Sequence, residues 1–416
     1  MSELPPEAAT APPVPAPYPV RLVVTDDLQR SRLTVFFRFF LAIPHCIWAV
    51  LIGVAVTICV FANWFVLLVR AQTPQGLHDF IAGYLRYIAQ LEAYFLLAAN
   101  PFPGFYLLGE KPYPVDIEID PPARQNRWKT AFRLFLAIPA FVISSSLLWG
   151  GPRGSSYFAG GVACGAAFLL WFVGVFRARA SRGLRDLIVY SIGYASQVSA
   201  YVFLLTDRYP YSGPNAFAPA RDDEPHPVRL TVTDDLRRSR LLVFFRLPIA
   251  IPHLVWAILW TLVALIVGLI NWLCALVIGR SPQPFHRFLA AYLRYTTHLS
   301  AFLFLVGNPF PGFVGKAGSY PVDLEIAGPE PQRRLVTFFR FFLTFPAFIV
   351  GGGLSGAVFT IGVLGWFAAL VLGRMPDGLR NLGAYGLRYN GQTNAYLFLL
   401  TSRYPDAGPR LDPAAP

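Results

Sequence analysis

The chain has 416 residues and a formal net charge of +12; 55% of its residues are hydrophobic and only 14% are charged. Water-soluble domains carry about a quarter charged residues, so the composition argues for lipid contact and against ordinary soluble domains. The basic residues are dispersed at the ends of apolar segments, not gathered in a block or stripe, which argues against nucleic acid and fits Lys and Arg flanking membrane segments on the cytoplasmic side, with attraction to anionic lipid as a compatible addition.

Residues 1–17 are rich in Pro and Ala and read as a disordered tail. They lack the basic start, apolar stretch and cleavage site of a secretory signal, so the first apolar segment is expected to direct its own insertion. Val20, Leu22 and Val24 alternate with Arg21, Val23 and Thr25, the period-two pattern of a half-buried strand. Asp26 and Asp27 then suit the start of a helix.

The next segment, Phe39 to Val69, holds no Asp, Glu, Lys or Arg, and the same is true of Leu247 to Gly279 and Phe341 to Gly373. About 18 such residues already suggest a membrane helix, and these runs are too long for one straight span of about 20. The second run is split by about 12 extra residues with turn signals between Ser144 and Gly161, and the last carries Gly351 to Gly356 at the matching place. Each run is therefore expected to be a helical hairpin, a single long, kinked helix being the alternative for the first and third. Arg30, Arg32 and Arg70 flank the first run, and Arg127, Lys129, Arg177 and Arg179 the second. Such flanks would put both ends of each run in the cytoplasm and only Arg153 outside.

A third helix follows, Gly76 to Ala99, with Asp79, Arg86 and Gln90 on one face. The stripe returns as Asp186, Gly193 and Gln197, as Arg287, Arg294 and His298, and as Asn381, Arg388 and Gln392. Such a helix either lies in the membrane interface or packs on a polar protein centre; the interface is the expected place. Were it to span, about twelve crossings would replace eight and alternate units would be inverted.

The segment Tyr18 to His45 recurs as His226 to His253, identical at 21 of 28 positions, and the shift of 208 residues holds through Asn100 to Phe105 and Asn308 to Phe313. A second pair begins at Tyr113 and Tyr320 and ends at Pro210 and Pro405. All four segments place an Arg (Arg38, Arg133, Arg246, Arg340) six residues before a Pro (Pro44, Pro139, Pro252, Pro346), then a Trp (Trp64, Trp171, Trp272, Trp366). The organisation read from this is a tail at 1–17, units at 18–112, 113–210, 226–319 and 320–405, a linker at 211–225 and a tail at 406–416. The strand position of Arg21 holds Asp116, Arg229 and Asp323 in turn, so pairing of adjacent strands would set opposite charges across a ladder.

The Tyr-Pro-Val strand, the Phe-Arg and Ile-Pro helix, and the Tyr-Leu-Arg-Tyr and Arg-Tyr-Pro ending resemble the bacterial membrane proteins grouped as domain of unknown function 4389. The resemblance covers nearly all of residues 18–405 and implies no activity. The fold expected is a membrane α+β protein of four pseudo-repeats, each a strand, a transmembrane hairpin and an amphipathic interfacial helix, with the strands forming a cytoplasmic layer. The place expected is the cytoplasmic membrane, multi-pass, with cytoplasmic termini.

Arg38, Arg133, Arg246 and Arg340 come first as candidate sites, because arginine in an apolar helix is costly. They either bind an anionic head group or serve structure, near enough to the helix start to snorkel or to pair with a strand carboxylate. Gly351 to Gly356 matches a dinucleotide fingerprint in letters but follows no strand, and is read as a turn. His45 and His253 lack partners at ligand spacing, and Cys46, Cys59, Cys164 and Cys274 lack paired spacing. No catalytic constellation, metal site or cofactor is expected. Two functions follow: a non-enzymatic scaffold touching lipid or a partner protein, or a channel or carrier between the units, the latter disfavoured because no carboxylate lies in the apolar runs.

Overall fold

The computed structural model describes residues 18–107, 112–150, 160–214 and 224–411. It is mostly helical. The first half holds β1 (Val20–Val24), α1 (Arg32–Arg70), α2 (Gln75–Phe95), β2 (Val115–Ile119), α3 (Arg127–Ala131), α4 (Arg133–Leu148), α5 (Val162–Arg177) and α6 (Arg182–Val202). The second half holds β3 (Val228–Val232), α7 (Arg240–Phe244), α8 (Arg246–Ile278), α9 (Gln283–Leu303), β4 (Val322–Ile326), α10 (Arg334–Phe338), α11 (Arg340–Leu372) and α12 (Asp377–Leu397). Helices α1, α8 and α11 are long and apolar enough to cross a membrane.

The apolar runs are not the hairpins expected. α1 continues for 39 residues and α8 and α11 for 33 each, so these rods are roughly 50–58 Å long at 1.5 Å per residue. Pro44, Pro252 and Pro346 sit inside them without ending them. The glycines read as a turn stay helical because they serve close packing: a Cβ on Gly353 would lie 3.1 Å from the Cα of Val162 at the start of α5. In the second segment the helix is interrupted, yet its two ends meet, since a Cβ on Gly161 would lie 2.4 Å from the carbonyl carbon of Leu148. α4 and α5 are thus one rod with an excursion between them, and Arg153 lies outside the described residues. The basic residues at the two ends of each run mark opposite ends of a rod, not two ends on one side.

The return arm is the helix expected in the interface. α2 runs back along α1, with Arg38 at its last turn, the His45 ring on Tyr87, and Asn63 donating to Thr73 at its start. α6, α9 and α12 repeat this against α4–α5, α8 and α11. Most of their polar stripe faces protein, because each return arm carries a strand: β2 on α2, β1 on α6, β4 on α9 and β3 on α12. Rods, return arms and strands form three successive layers. At the junction of the halves, α11 packs on α4 and α5, and Tyr190 of α6 meets Tyr385 of α12 edge to face with ring centroids 6.4 Å apart.

Adjacent segments run in opposite directions and lock reciprocally. The last turn of each rod ends in an αL residue, and its carbonyl accepts from the neighbour's entry segment: Gln125 N–H to Ala71 O, Arg30 to Ala178, Gln332 to Gly279 and Arg238 to Gly373, at 2.7–2.9 Å. Trp64, Trp272 and Trp366 donate from the same ends to the carbonyls of Thr130, Thr337 and Val243 in the neighbour's opening helix.

β1 pairs with β2 and β3 with β4, antiparallel, so there are two small sheets and not one layer. The opposite charges do meet, but in another register. Antiparallel pairing about Leu22 and Ile117 sets Arg21 against Glu118, and Arg229 against Glu325, while Asp116 and Asp323 face Val23 and Thr231. Part of the segment read as a C-terminal tail, 406–411, lies among the described residues. Residues 406–411 are held on α12, where Tyr385 Oη donates to Ala407 O at 2.7 Å and Arg388 to Gly408 O at 2.6 Å.

Candidate functional site

Each of the four arginines ends up at the C-terminus of its own return arm, where the last carbonyls lack helical partners. Arg133 donates to Tyr201 O at 2.8 Å, Thr206 O at 2.6 Å and Gln125 Oε1 at 2.9 Å. Arg38 donates to Tyr94 O and Ala99 O, Arg246 to Phe302 O and Gly307 O, and Arg340 to Thr401 O and Gln332 Oε1. Each guanidinium also covers an aromatic ring, Tyr94, Tyr201, Phe302 or Tyr396, with its carbon 4.0–4.7 Å from the centroid. All four are 1–3% exposed. A positive charge at a helix C-terminus is favourable, and these arginines close protein carbonyls in positions where a lipid head group would have to displace them. Leu97, Leu204, Leu305 and Leu399 follow those helices in the left-handed region, a conformation that costs a non-glycine residue about 1–2 kcal/mol, offset here by burial of each side chain to 1–5% exposure.

A second set of buried charges was hidden in the sequence. Asp26 and Asp234 do not cap the following helix; they fold back on the next two residues and hold an arginine one turn on. Arg30 donates twice to Asp26, both at 2.9 Å, with both side chains 1% exposed, and reaches Leu97 O and Ala98 O. Arg185 of α6 approaches Asp26 at 3.6 Å and Asp186 at 2.7 Å. Asp234 and Arg238 repeat the pair at 2.8 Å, with Arg380 on the Asp234 carbonyl. The four-residue spacing from Asp to Arg in Thr-Asp-Asp-Leu was the available signal.

The stripe residues are divided. Gln90 donates to Asp116 at 3.2 Å and Arg86 to Ile117 O at 3.3 Å; Gln197 reaches Val20 O, Arg294 reaches Leu324 O at 3.0 Å, and Gln392 reaches Val228 O at 2.9 Å. His298 Nε2 lies 2.7 Å from Asp323 Oδ1. Burial would raise the Asp323 carboxyl, but His298 and the Gly318 and Leu324 N–H groups outweigh it and hold the carboxyl below its usual range. These six side chains fasten strands to return arms. Asp186 belongs to the Arg185 cluster and Arg388 holds the C-terminal segment; Asn381 bridges Arg380 and Tyr211. Asp79 takes a bond from Gln75, and Arg287 is exposed, so neither joins the seam. Gly193 is buried.

His45 and His253 are packed. His45 stacks on Phe105 at 4.1 Å and meets Tyr87 Oη at 2.8 Å; His253 stacks on Phe313 at 4.0 Å and meets Tyr295 Oη at 3.1 Å. Each clamps the Asn-Pro-Phe-Pro-Gly-Phe loop that follows its return arm.

No curated protein and no solved structure matches the chain. The family model described as domain of unknown function (DUF4389) matches in three tandem copies, at residues 32–106, 240–314 and 334–407, each a rod, its return arm and the buried arginine between them. Because these copies cover more than half of the chain, it belongs to the DUF4389 family.

Proposed function

We propose that this protein is a non-enzymatic membrane scaffold of four units, its rods meeting lipid and its strand flank presented to a partner outside the hydrocarbon. The carrying observation is the contrast between two flanks. In the most apolar stretches of α1 and α8 only 17% of residues are buried, and Val50, Leu51 and Val54 in the middle of α1 are 59–67% exposed. On the opposite flank Arg21 forms exposed ion pairs with Glu118 at 3.5 Å and Asp120 at 2.9 Å. Exposed charge and open strand edges are costly in hydrocarbon, so lipid on the rods and another medium on the strands is the arrangement that satisfies both.

The interior favours a scaffold over a channel. Tyr190, Tyr194, Tyr385 and Tyr389 fill the centre at 0–1% exposure, and the polar seam uses its donors on strand carbonyls and carboxylates. The terminal guanidinium nitrogens of the four arginines are turned to carbonyls at the helix ends and to Gln125 and Gln332, and their Nε atoms are buried without a hydrogen-bond partner among the described residues, so contact with anionic lipid falls to exposed residues such as Arg32 and Arg70.

The test is alkaline extraction of membranes followed by labelling of single cysteines, placed in a chain whose four native cysteines are replaced. Val54→Cys should resist a membrane-impermeant maleimide and Val23→Cys, 37% exposed in β1, should react. Release by alkali, or equal shielding of both positions, would overturn the reading.

A further inference from the structure

The second half contains a cleft that neither the seam nor the helix ends explain. It measures about 440 Å³, within the range of small-molecule sites, and lies between the middles of α9, α11 and α12. Ser300, Ser355, Asn390 and Asn394 line it, with Leu293, Phe304, Phe348 and Val358 as apolar walls; none of the lining residues is charged. Ser355, exposed, sits halfway along α11 at the mouth. Asn390 donates to Ser355 at 3.0 Å. The hydroxyl of Ser300 and the amide of Asn394 form no side-chain hydrogen bond among the described residues, unlike Thr297 and Thr393, which bond back to their own helices at 2.8 and 2.9 Å.

Space here is maintained by glycine. A Cβ on Gly351 would stand 2.9 Å from Asn390 Oδ1. The first half does not carry this set. At the matching positions of the first half, Ser300 is replaced by Glu92 (a shift of 208), Gly351 and Ser355 by Ser144 and Leu148 (a shift of 207, as for Arg340 and Arg133), and Asn390 by Ala195 (a shift of 195, as for Arg403 and Arg208). Packing alone would be served by the same residues in both halves, whereas uncharged donors and acceptors gathered in one half, within an apolar bundle, mark a site.

We propose that this cleft binds the hydroxyl end of a neutral lipid, entering from the side of the rods. The chemistry selects it. A phosphate head group would meet no cation. A ligand with acceptors only would leave Asn390 Oδ1 unmatched, and a hydroxyl both gives and accepts. Access rests on the lipid-facing reading of the rods; the chemistry of the cleft does not.

The experiment uses the full chain in phosphatidylcholine vesicles with a photoreactive diacylglycerol, and in parallel a photoreactive phosphatidylglycerol. Adducts should map to residues 293–304, 348–358 or 387–394, compete with unlabelled diacylglycerol, and fall about tenfold in Gly351→Leu, equivalent to about 1.4 kcal/mol of binding. Asn394→Leu, which keeps the glycine packing, is the second variant if Gly351→Leu does not fold. No adduct, equal labelling of the matching positions in the first half, equal labelling by the anionic probe, or unchanged labelling in the folded variant each overturns the proposal. Alkaline extraction of the same samples separates the two ideas: protein retained but unlabelled sinks the cleft, and protein released sinks the lipid-facing reading.

Discussion

Arg133→Met is the sharpest test of what the buried arginines do. The side chain makes three hydrogen bonds of 2.6–2.9 Å and covers the Tyr201 ring at 4.7 Å, with no carboxylate among those contacts. Hydrogen bonds from a charged group are worth about 1.5–3 kcal/mol each, and a buried carbonyl left without a donor costs about 1–3 kcal/mol. Removing the charge also removes its own desolvation cost, which offsets part of the loss. The net expectation is a destabilisation of about 3 kcal/mol, read as a shift in denaturant-induced unfolding in mixed micelles by tryptophan fluorescence. Arg133→Lys keeps the charge but not the fork, and cannot serve Gln125 and both carbonyls together, so roughly half of the loss should remain. A Met variant within about 0.5 kcal/mol of the wild type, or a Lys variant with full stability and altered binding of anionic lipid only, would refute the structural role.

Three further outcomes follow. Asp26→Asn, which leaves Arg30 buried beside a neutral amide, should cost about 3–5 kcal/mol, whereas Arg229→Ala, whose partner Glu325 is exposed, should cost less than about 1 kcal/mol; similar values in the same unfolding assay would contradict the burial argument. Because the folded Asp323 carboxyl is held below its usual range, its contribution should be complete above that range and disappear as pH falls through the folded value. The gap in melting temperature between wild type and Asp323→Asn should therefore close on acidification, and a gap that widens would show the sign to be wrong. His253→Ala should free the loop at Asn308 to Phe313 and make it the first site of limited proteolysis, without moving the corresponding cleavage at Asn100 to Phe105; equal protection in wild type and variant would dismiss the clamp.

The sequence disclosed the apolar runs, the strands that open at Pro-Val, and the Arg, Pro and Trp that recur along them. Three features were not legible. A glycine run signals a turn by propensity, but Gly353 is there because a Cβ at that position would stand 3.1 Å from the Cα of Val162 in another helix, nearly two hundred positions away in the chain. Repeat alignment compares equal positions, whereas antiparallel pairing joins the second position of one strand to the fourth of the next, so Arg21 finds Glu118 and not Asp116. The polar stripe looked like a face for head groups because strand carbonyls, its actual partners, carry no letter in a sequence.

The reciprocal lock between adjacent segments also limits how such a chain can be divided. The carbonyl ending each rod is met by its neighbour's entry segment, and each strand finds its ladder in that neighbour. One unit alone therefore keeps an open rod end, an unpaired strand and a return arm stripped of its cover. The smallest piece that closes on itself is a pair in opposed directions. A relative carrying a single copy would have to meet a second molecule in the opposed direction, so that what is intramolecular here becomes a two-fold symmetric dimer there.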